Sequence, residues 1–138
     1  MRFTTSLLAD AATLANGKLY VLGGAWDGIT ATIFPMVQPS IAVVLVIEFD
    51  PDEVNPAEFN LHDFEIRLVD EEDIPVGPAT TGRFELRDSF DAVPGVPIRQ
   101  PIAITFASVQ FQRAGKYRFA VLVNGTEVHS LSFSVRLV

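Results

Sequence analysis

The sequence predicts an all-β protein, and three features support that class. It contains eleven phenylalanines, and aromatic residues favour strands. Short segments in which apolar and polar residues alternate recur along the chain, with turn residues between them. The stretch Asp88–Pro101 contains three prolines and has the length of a connection that crosses between two sheets. Together these features predict an immunoglobulin-like antiparallel β-sandwich of about eight or nine strands with Greek-key connections.

The size, the charge and the cysteine content limit the possible functions. With 138 residues, the chain has the size of a single domain, residues 1–138. It contains no cysteine, which excludes disulfides and thiolate metal sites. Ten basic residues and a net charge of −7 argue against nucleic-acid binding, because that binding depends on phosphate neutralisation. No apolar run reaches the roughly 18 residues of a membrane span, and the N-terminus lacks a signal-peptide pattern, so we expect a cytoplasmic protein.

The first segment, residues 3–15, is compatible with two structures. In a helix, its leucines and alanines would form one apolar stripe, and Asn16-Gly17 would be the C-terminal cap. In a strand, the alternation is poor, but Asn16-Gly17 becomes a hairpin turn that leads into Lys18–Leu22. The residues alone leave both structures open.

The same region contains a motif that resembles a known family. Between Leu7 and Trp26 the chain reads LLADAA, a short gap, and GKLYVLGGAW. This opening is similar to that of an uncharacterised bacterial family, largely actinobacterial, which is defined only as a domain of unknown function. The likeness continues thinly through Phe64–Asp70 and Ala114–Phe119. The resemblance implies a β-sandwich without a known activity, and it implies a strand over residues 4–14.

The middle of the chain predicts the next strands. Ser40–Phe49 is nearly all apolar, which is typical of a central strand covered on both faces. Ile29–Phe34 alternates and predicts a short edge strand that ends before Pro35. Asn55-Pro56-Ala57-Glu58 has the residue types of a helix start, so one helical turn is expected in the loop there. Alternating patterns predict further strands at His62–Val69, Ala79–Leu86 and Ile102–Phe106.

The clearest local signal is a hairpin at Lys116–Leu137. Asn124-Gly125 is a preferred pair for a two-residue turn. With a strict two-residue loop, Phe119 would pair with Ser130, and the apolar residues of the two strands would lie on opposite faces. They share a face only if one residue is added, either in a three-residue loop with a bulge beside Gly125 or in a bulge within Glu127–Ser130. We therefore expect a bulge.

Residues suited to catalysis or metal binding are few. The two histidines, His62 and His129, have no Gly-x-Ser-x-Gly elbow to support them. We interpret both as surface residues, and we expect neither enzyme activity nor a cofactor. Loop carboxylates can bind Ca²⁺, and the weak candidates for such a site are Asp50, Asp52, Glu53, Asp88 and Asp91. No loop has the alternating Asp-x-Asp-x-Asp-Gly pattern, so we interpret these acids as solvated turn residues.

The function that we expect is protein binding. Trp26 follows two glycines, and it either fills one end of the sandwich or anchors a partner. The candidate partner-binding residues are Trp26, Asp27, Ile29 and Phe34. The leading hypothesis is a non-enzymatic β-sandwich that self-assembles into a homo-oligomer or serves as an accessory subunit. The alternative is a ligand-binding module, such as a Ca²⁺-assisted binder of sugars or lipid surfaces that uses the acidic loops.

Overall fold

The computed structural model describes residues 1–51, 61–86 and 95–138. In these residues the chain forms nine β-strands. The same residues contain no helix that is long and apolar enough to cross a membrane. The strands are β1 (Arg2–Ala15), β2 (Lys18–Gly24), β3 (Gly28–Ala31), β4 (Met36–Phe49), β5 (Leu61–Val69), β6 (Thr80–Glu85), β7 (Ile98–Phe111), β8 (Gly115–Val123) and β9 (Thr126–Leu137).

The strands form two sheets around one main core. The four-stranded sheet has the order β2-β1-β4-β7, and the five-stranded sheet, which curls like half of a barrel, has the order β3-β9-β8-β5-β6. All neighbours are antiparallel except β3 and β9, which are parallel. The largest fully buried side chains come from both sheets and include Ile41, Leu45, Ile66, Phe111 and Phe119. The prediction of an all-β chain with eight or nine strands is thus confirmed.

The central strand β4 is buried on both faces, as its continuous apolar sequence predicts. Ile41, Val43 and Leu45 face the main core. Ala42 and Val44 face the other way, yet they are only 0% and 1% exposed. Residues from the hairpin of β1 and β2 cover them. The outer face of the four-stranded sheet therefore has a small apolar cluster of its own.

The terminal hairpin contains the expected bulge. Asn124 and Gly125 form a two-residue turn, and both have positive φ angles, 51° and 82°. Next to the turn the pairing is regular, but Val121 pairs with His129 while Leu122 pairs with Glu127, so Val128 is the inserted residue. The shift pairs the apolar residues across the hairpin, and Phe119 lies opposite Leu131. The predicted bulge within Glu127–Ser130 is confirmed, and the alternative of a three-residue loop beside Gly125 is wrong.

The other strand boundaries agree with the expected ones in part. Residues 4–14 are a strand, as the resemblance implies. The edge strand expected at Ile29–Phe34 is shorter, because β3 ends at Ala31 and a cis Phe34–Pro35 peptide bond follows. The connection expected to extend to Pro101 ends earlier, since β7 begins at Ile98 and Pro101 lies inside it. Proline is tolerated there because β7 is an edge strand. The helical turn expected at residues 55–58 lies outside the described residues.

Candidate interaction surface

The hairpin of β1 and β2 extends beyond the regular pairing of the four-stranded sheet. Strand β1 pairs with β4 only as far as Ala9, which lies opposite Ala42, but it continues to Ala15 in a hairpin with β2. We call residues 10–24 the hairpin arm. The turn of the arm, Asn16-Gly17, has positive φ angles of 51° and 73°, as a tight two-residue turn requires. The hairpin turn that the strand interpretation predicts at Asn16-Gly17 is therefore present.

The arm folds over the outer face of the sheet. Both strands of the arm contact β7, although neither is the neighbour of β7 in the sheet. Ala12 and Leu19 pack against the cluster of Ala42 and Val44. The inner side of the arm is therefore part of the small outer cluster.

A glycine permits the change of direction where the arm leaves the sheet. Gly23 lies within β2 and has a φ of +62°, and a Cβ atom there would lie 2.3 Å from Oδ2 of Asp10. A residue with a side chain would therefore be strained at this φ and would displace the Asp10 side chain. The motif that carries the family resemblance, Asp10 in β1 with Gly23 in β2, thus corresponds to this bend.

The outer side of the arm is apolar and faces solvent. Leu22 is 72% exposed and Tyr20 is 56% exposed. Their cross-strand neighbours on β1, Ala11 and Thr13, are also exposed. Lys18 is the one charged residue between Asp10 and Asp27 in the sequence. In a chain with a net charge of −7, this surface carries no negative charge of its own.

The four predicted partner residues lie outside the arm. Ile29 is 9% exposed and belongs to the main core. Trp26 and Phe34 are half-buried and pack against that core, and Trp26 meets the ring of Phe133 edge-on. Asp27 is exposed, and its carbonyl accepts a hydrogen bond from the Ser134 N–H at 2.9 Å. Trp26 thus has the packing expected of a residue that fills one end of the sandwich.

The acidic candidates separate into one described residue and four others. Asp50 forms an ion pair with Arg2, at 3.0 Å between Oδ1 and Nη2. Arg2 also pairs with Glu48, whose other oxygen accepts a hydrogen bond from Arg99 Nε at 3.0 Å. The hydrogen bond from Arg2 lowers the pKa of Asp50, and the bonds from Arg99 and Arg2 lower that of Glu48. Asp52, Glu53, Asp88 and Asp91 lie outside the described residues.

The two histidines, interpreted from the sequence as surface residues, are partly buried. His129 lies against Phe3, and His62 stacks on Phe84 with ring centroids 5.2 Å apart. Both side chains are half-buried. Burial lowers the pKa of each imidazole, because the charged form loses hydration. The bulge explains His129, since the inserted Val128 changes the direction in which the next side chain points.

Asn124 connects the terminal hairpin to strand β5. Its side-chain oxygen accepts a hydrogen bond from the Asp63 N–H at 3.0 Å, and its own N–H donates to the Asp63 carbonyl at 2.8 Å. Its amide nitrogen lies 3.0 Å from Nδ1 of His62. Sequence reasoning identified Asn124 as a turn residue but could not reveal these contacts, which join residues far apart in the chain.

A buried tyrosine at the start of β8 makes a contact that sequence reasoning missed. Tyr117 is 5% exposed, and its hydroxyl donates a hydrogen bond of 2.6 Å to the carbonyl oxygen of Arg113. Burial raises the pKa of Tyr117, so the hydroxyl keeps its proton as a donor. The sequence contained a signal for this contact, because Tyr117 lies in the segment Ala114–Phe119, where the chain turns from β7 into β8.

An open groove of about 770 Å³ lies between β7 and the connection from β5 to β6. Phe106, Val109 and Tyr117 contribute its apolar part, and Arg113 lies at its polar side. Arg113 pairs with Asp70 at 3.3 Å. Among the described residues, no group of three or more histidine, cysteine, aspartate or glutamate side chains is arranged to hold a metal ion.

Comparison with known proteins identifies the family and little else. No curated protein matches the chain. Among solved structures, the chain is similar to the Pseudomonas fluorescens alkylpurine DNA glycosylase AlkC bound to DNA containing an abasic site analog, with 20% identity and a TM-score of 0.45. The match covers 80% of this chain and 28% of that chain, and a likeness at this level assigns no function. The model of a family of unknown function, DUF6941, matches residues 4–136, and the protein therefore belongs to that family.

Proposed function

We propose that this protein is a non-enzymatic β-sandwich that acts through protein–protein contact, and that its partner is a second copy of itself. The observation that carries the proposal is the outer side of the hairpin arm. Tyr20 and Leu22 are large apolar side chains that are more than half exposed, and they lie on adjacent positions of one strand face. Clustered apolar exposure of this kind is typical of an interaction surface.

The charge distribution of the arm permits a second copy to approach there. Two chains that each carry a net charge of −7 repel one another over most of their surfaces. The arm is a place where two copies can approach without bringing carboxylates together, since Lys18 is its one charge between Asp10 and Asp27. Self-association through the arm is therefore the form of protein–protein contact that we propose. The same net charge supports a protein that does not bind nucleic acid.

The contacts of the histidines support the absence of catalysis. A general base must reach the proton that it removes. His129 is instead stacked on Phe3, and His62 is in contact with Phe84 and Asn124. The proposal also includes a bacterial source and a cytoplasmic location, for which the family resemblance and the lack of cysteines are the support.

We also propose that the architecture is immunoglobulin-like. The strands of such sandwiches are lettered A to G in chain order. Strands A, B and E are neighbours in one sheet, and strands G, F and C are neighbours in the other, where an additional strand C′ can follow C. The orders β1-β4-β7 and β9-β8-β5-β6 correspond to strands A-B-E and G-F-C-C′ of that arrangement. The hydroxyl of Tyr117 and the carbonyl of Arg113 resemble the tyrosine corner of these folds. In this interpretation, β2 is an addition at the edge beside the first strand.

Self-association is tested by multi-angle light scattering across a hundredfold range of protein concentration. We expect the average mass to rise toward that of a dimer or a larger oligomer in the micromolar range. A constant monomer mass over the whole range would overturn the proposal. Measurements at low and high salt separate the apolar attraction between the arms from the charge repulsion between the chains, because salt screens the repulsion between chains with a net charge of −7. The mass should therefore rise further at high salt.

A further inference from the structure

We infer that two copies of the chain join through strand β2, which pairs antiparallel with β2 of the second copy about a two-fold axis at Tyr20. The inference rests on the proposed self-association and specifies its surface and its geometry. The hairpin arms of the two molecules would then form one antiparallel ribbon of four strands. Such strand addition is a common way to bind at an exposed sheet edge.

The turn of the arm determines which backbone groups point to the open edge of β2. In a two-residue hairpin the flanking residues, here Ala15 and Lys18, exchange hydrogen bonds across the strands. Because successive residues of a strand alternate in direction, Tyr20 and Leu22 also bond toward β1. Leu19 and Val21 then direct their N–H and C=O groups away from β1. In the described part of the chain, no strand pairs with that side of β2.

A two-fold axis at Tyr20 uses these groups completely. Leu19 of each copy lies opposite Val21 of the other, and each such pair exchanges two hydrogen bonds. Tyr20 lies opposite Tyr20 of the second copy in a pair without hydrogen bonds, where side chains approach most closely. Lys18 lies opposite Leu22 of the second copy, so its methylene stem can cover the exposed leucine. The pairing ends before Gly23, whose φ of +62° departs from a regular strand.

The other sheet edges in the described residues are less suited to pairing. Strand β3 has four residues. Strand β7 contains Pro101 and a left-handed Ser108 with a φ of 52°, and each interrupts a regular ladder. Strand β6 contains Gly82 and carries the charges of Arg83 and Glu85. By contrast, Leu19–Leu22 contains neither proline, glycine nor charge. Proteins normally protect edges with these features, so their absence from this segment of β2 supports its role.

The size of the contact predicts a weak dimer. It would cover the backbone edge of Leu19–Leu22 and the flanks of the side chains of Tyr20, Val21 and Leu22, on the order of 400 Å² per copy. The total of about 800 Å² is about half of a standard interface, so we expect association in the micromolar range. Lysine at the start of β2 and the fold of the arm over the sheet limit growth beyond two copies, because the two-fold pairing occupies both free edges of this kind.

Cysteine cross-linking tests the register directly, since the chain has no cysteine of its own. In the variant Tyr20→Cys, the two new side chains would lie within reach of a disulfide, because residues in such a pair have Cβ atoms about 4.5–5.5 Å apart. We expect a disulfide-linked dimer in oxidised glutathione. Thr13→Cys is the matched control, since Thr13 is exposed and lies beside Tyr20 on β1. Its sulfur would lie three strand spacings, about 14 Å, from that of the second copy.

A second pair of variants checks the position of the axis. A mixture of Lys18→Cys and Leu22→Cys should form the mixed disulfide, whereas each variant alone should remain monomeric on a denaturing gel. If light scattering shows a dimer but Tyr20→Cys links no faster than Thr13→Cys, the pairing through β2 is wrong and self-association stands. If the unmodified chain remains a monomer at every concentration, both proposals fall. Rapid linking of Tyr20→Cys together with the mixed disulfide would establish the surface and the register.

Discussion

The imidazole of His129 lies flat against the phenyl ring of Phe3, with ring centroids 4.4 Å apart and planes inclined by 12°. Phe3 lies in β1 and His129 in β9, so the contact joins the two sheets at one side of the sandwich. It places a titratable ring where apolar packing contributes to the fold. The stability of the protein should therefore depend on pH near neutrality.

Acidification should destabilise the fold first through its histidines. Burial lowers the pKa of His129 and of His62 below the value of 6.5 that applies to the unfolded chain. As the pH falls through 6.5, the unfolded state binds protons before the folded state does, so stability that is complete above this pH is progressively lost. Urea denaturation at pH 7.5 and pH 5.5 measures the loss. His129→Phe should reduce it, and an unchanged pH dependence in the variant carrying His129→Phe and His62→Phe would contradict this account.

The hydroxyl of Tyr117 should contribute measurably to stability. Tyr117→Phe removes the donor to the Arg113 carbonyl and leaves the ring in place, so we expect a loss of about 1 kcal/mol in the free energy of unfolding. Tyr20→Phe, measured at a protein concentration below that of the proposed association, is the matched control, because Tyr20 is 56% exposed and its change in the monomer should cost close to nothing. Urea denaturation of both variants measures the difference. Equal midpoints would show that the hydrogen bond does not stabilise the fold.

The bulge in the terminal hairpin predicts opposite tolerance at two adjacent residues. Leu131 is 7% exposed and faces the core, whereas Ser130 is exposed. Leu131→Asp would bury a carboxylate and should cost about 3 kcal/mol or more. Ser130→Asp should cost less than about 0.5 kcal/mol. Chemical denaturation compares the two variants, and similar midpoints would contradict the register.

Calcium should leave the melting temperature within about one degree of its value without the ion. Among the acidic candidates, Asp50 is already paired with Arg2, and a ligand present at a hundred times its dissociation constant would add about 2.7 kcal/mol. Differential scanning calorimetry with millimolar CaCl₂ or with EDTA tests this expectation. A rise of several degrees that Asp50→Asn with Asp52→Asn abolishes would support the alternative of a Ca²⁺-assisted binder.

Local patterns were sufficient to predict much of the fold. The bulge followed from a conflict of periods, since the apolar sets on either side of Asn124-Gly125 can share one face only with an added residue. The double burial of β4 followed from its continuous apolar sequence. In each case the information lies within a few neighbouring residues.

Features that depend on distant contacts could not be predicted in this way. The parallel pairing of β3 with β9 joins Ile29 to Val135, and no local pattern specifies such a partner. The arm covers β4 through Ala12 and Leu19, and two residues are too few to produce a clear period. Consequently, Tyr20 and Leu22 had the pattern of ordinary strand residues. The predicted contact residues, Trp26 to Phe34, follow the surface that we now propose by a few positions in the sequence.

The shallow packing of the hairpin arm has a consequence for its motions. The arm packs on Ala42 and Val44 through two partly buried side chains, Ala12 and Leu19, so it buries less apolar area than the phenylalanines of the main core do. The arm should therefore open as a separate cooperative unit while the sandwich remains folded. Amide hydrogens of β2 would then exchange with solvent deuterium long before those of β4 and β8. Association through β2 would slow that exchange as the protein concentration rises, because the arm would open less often in the dimer than in the monomer.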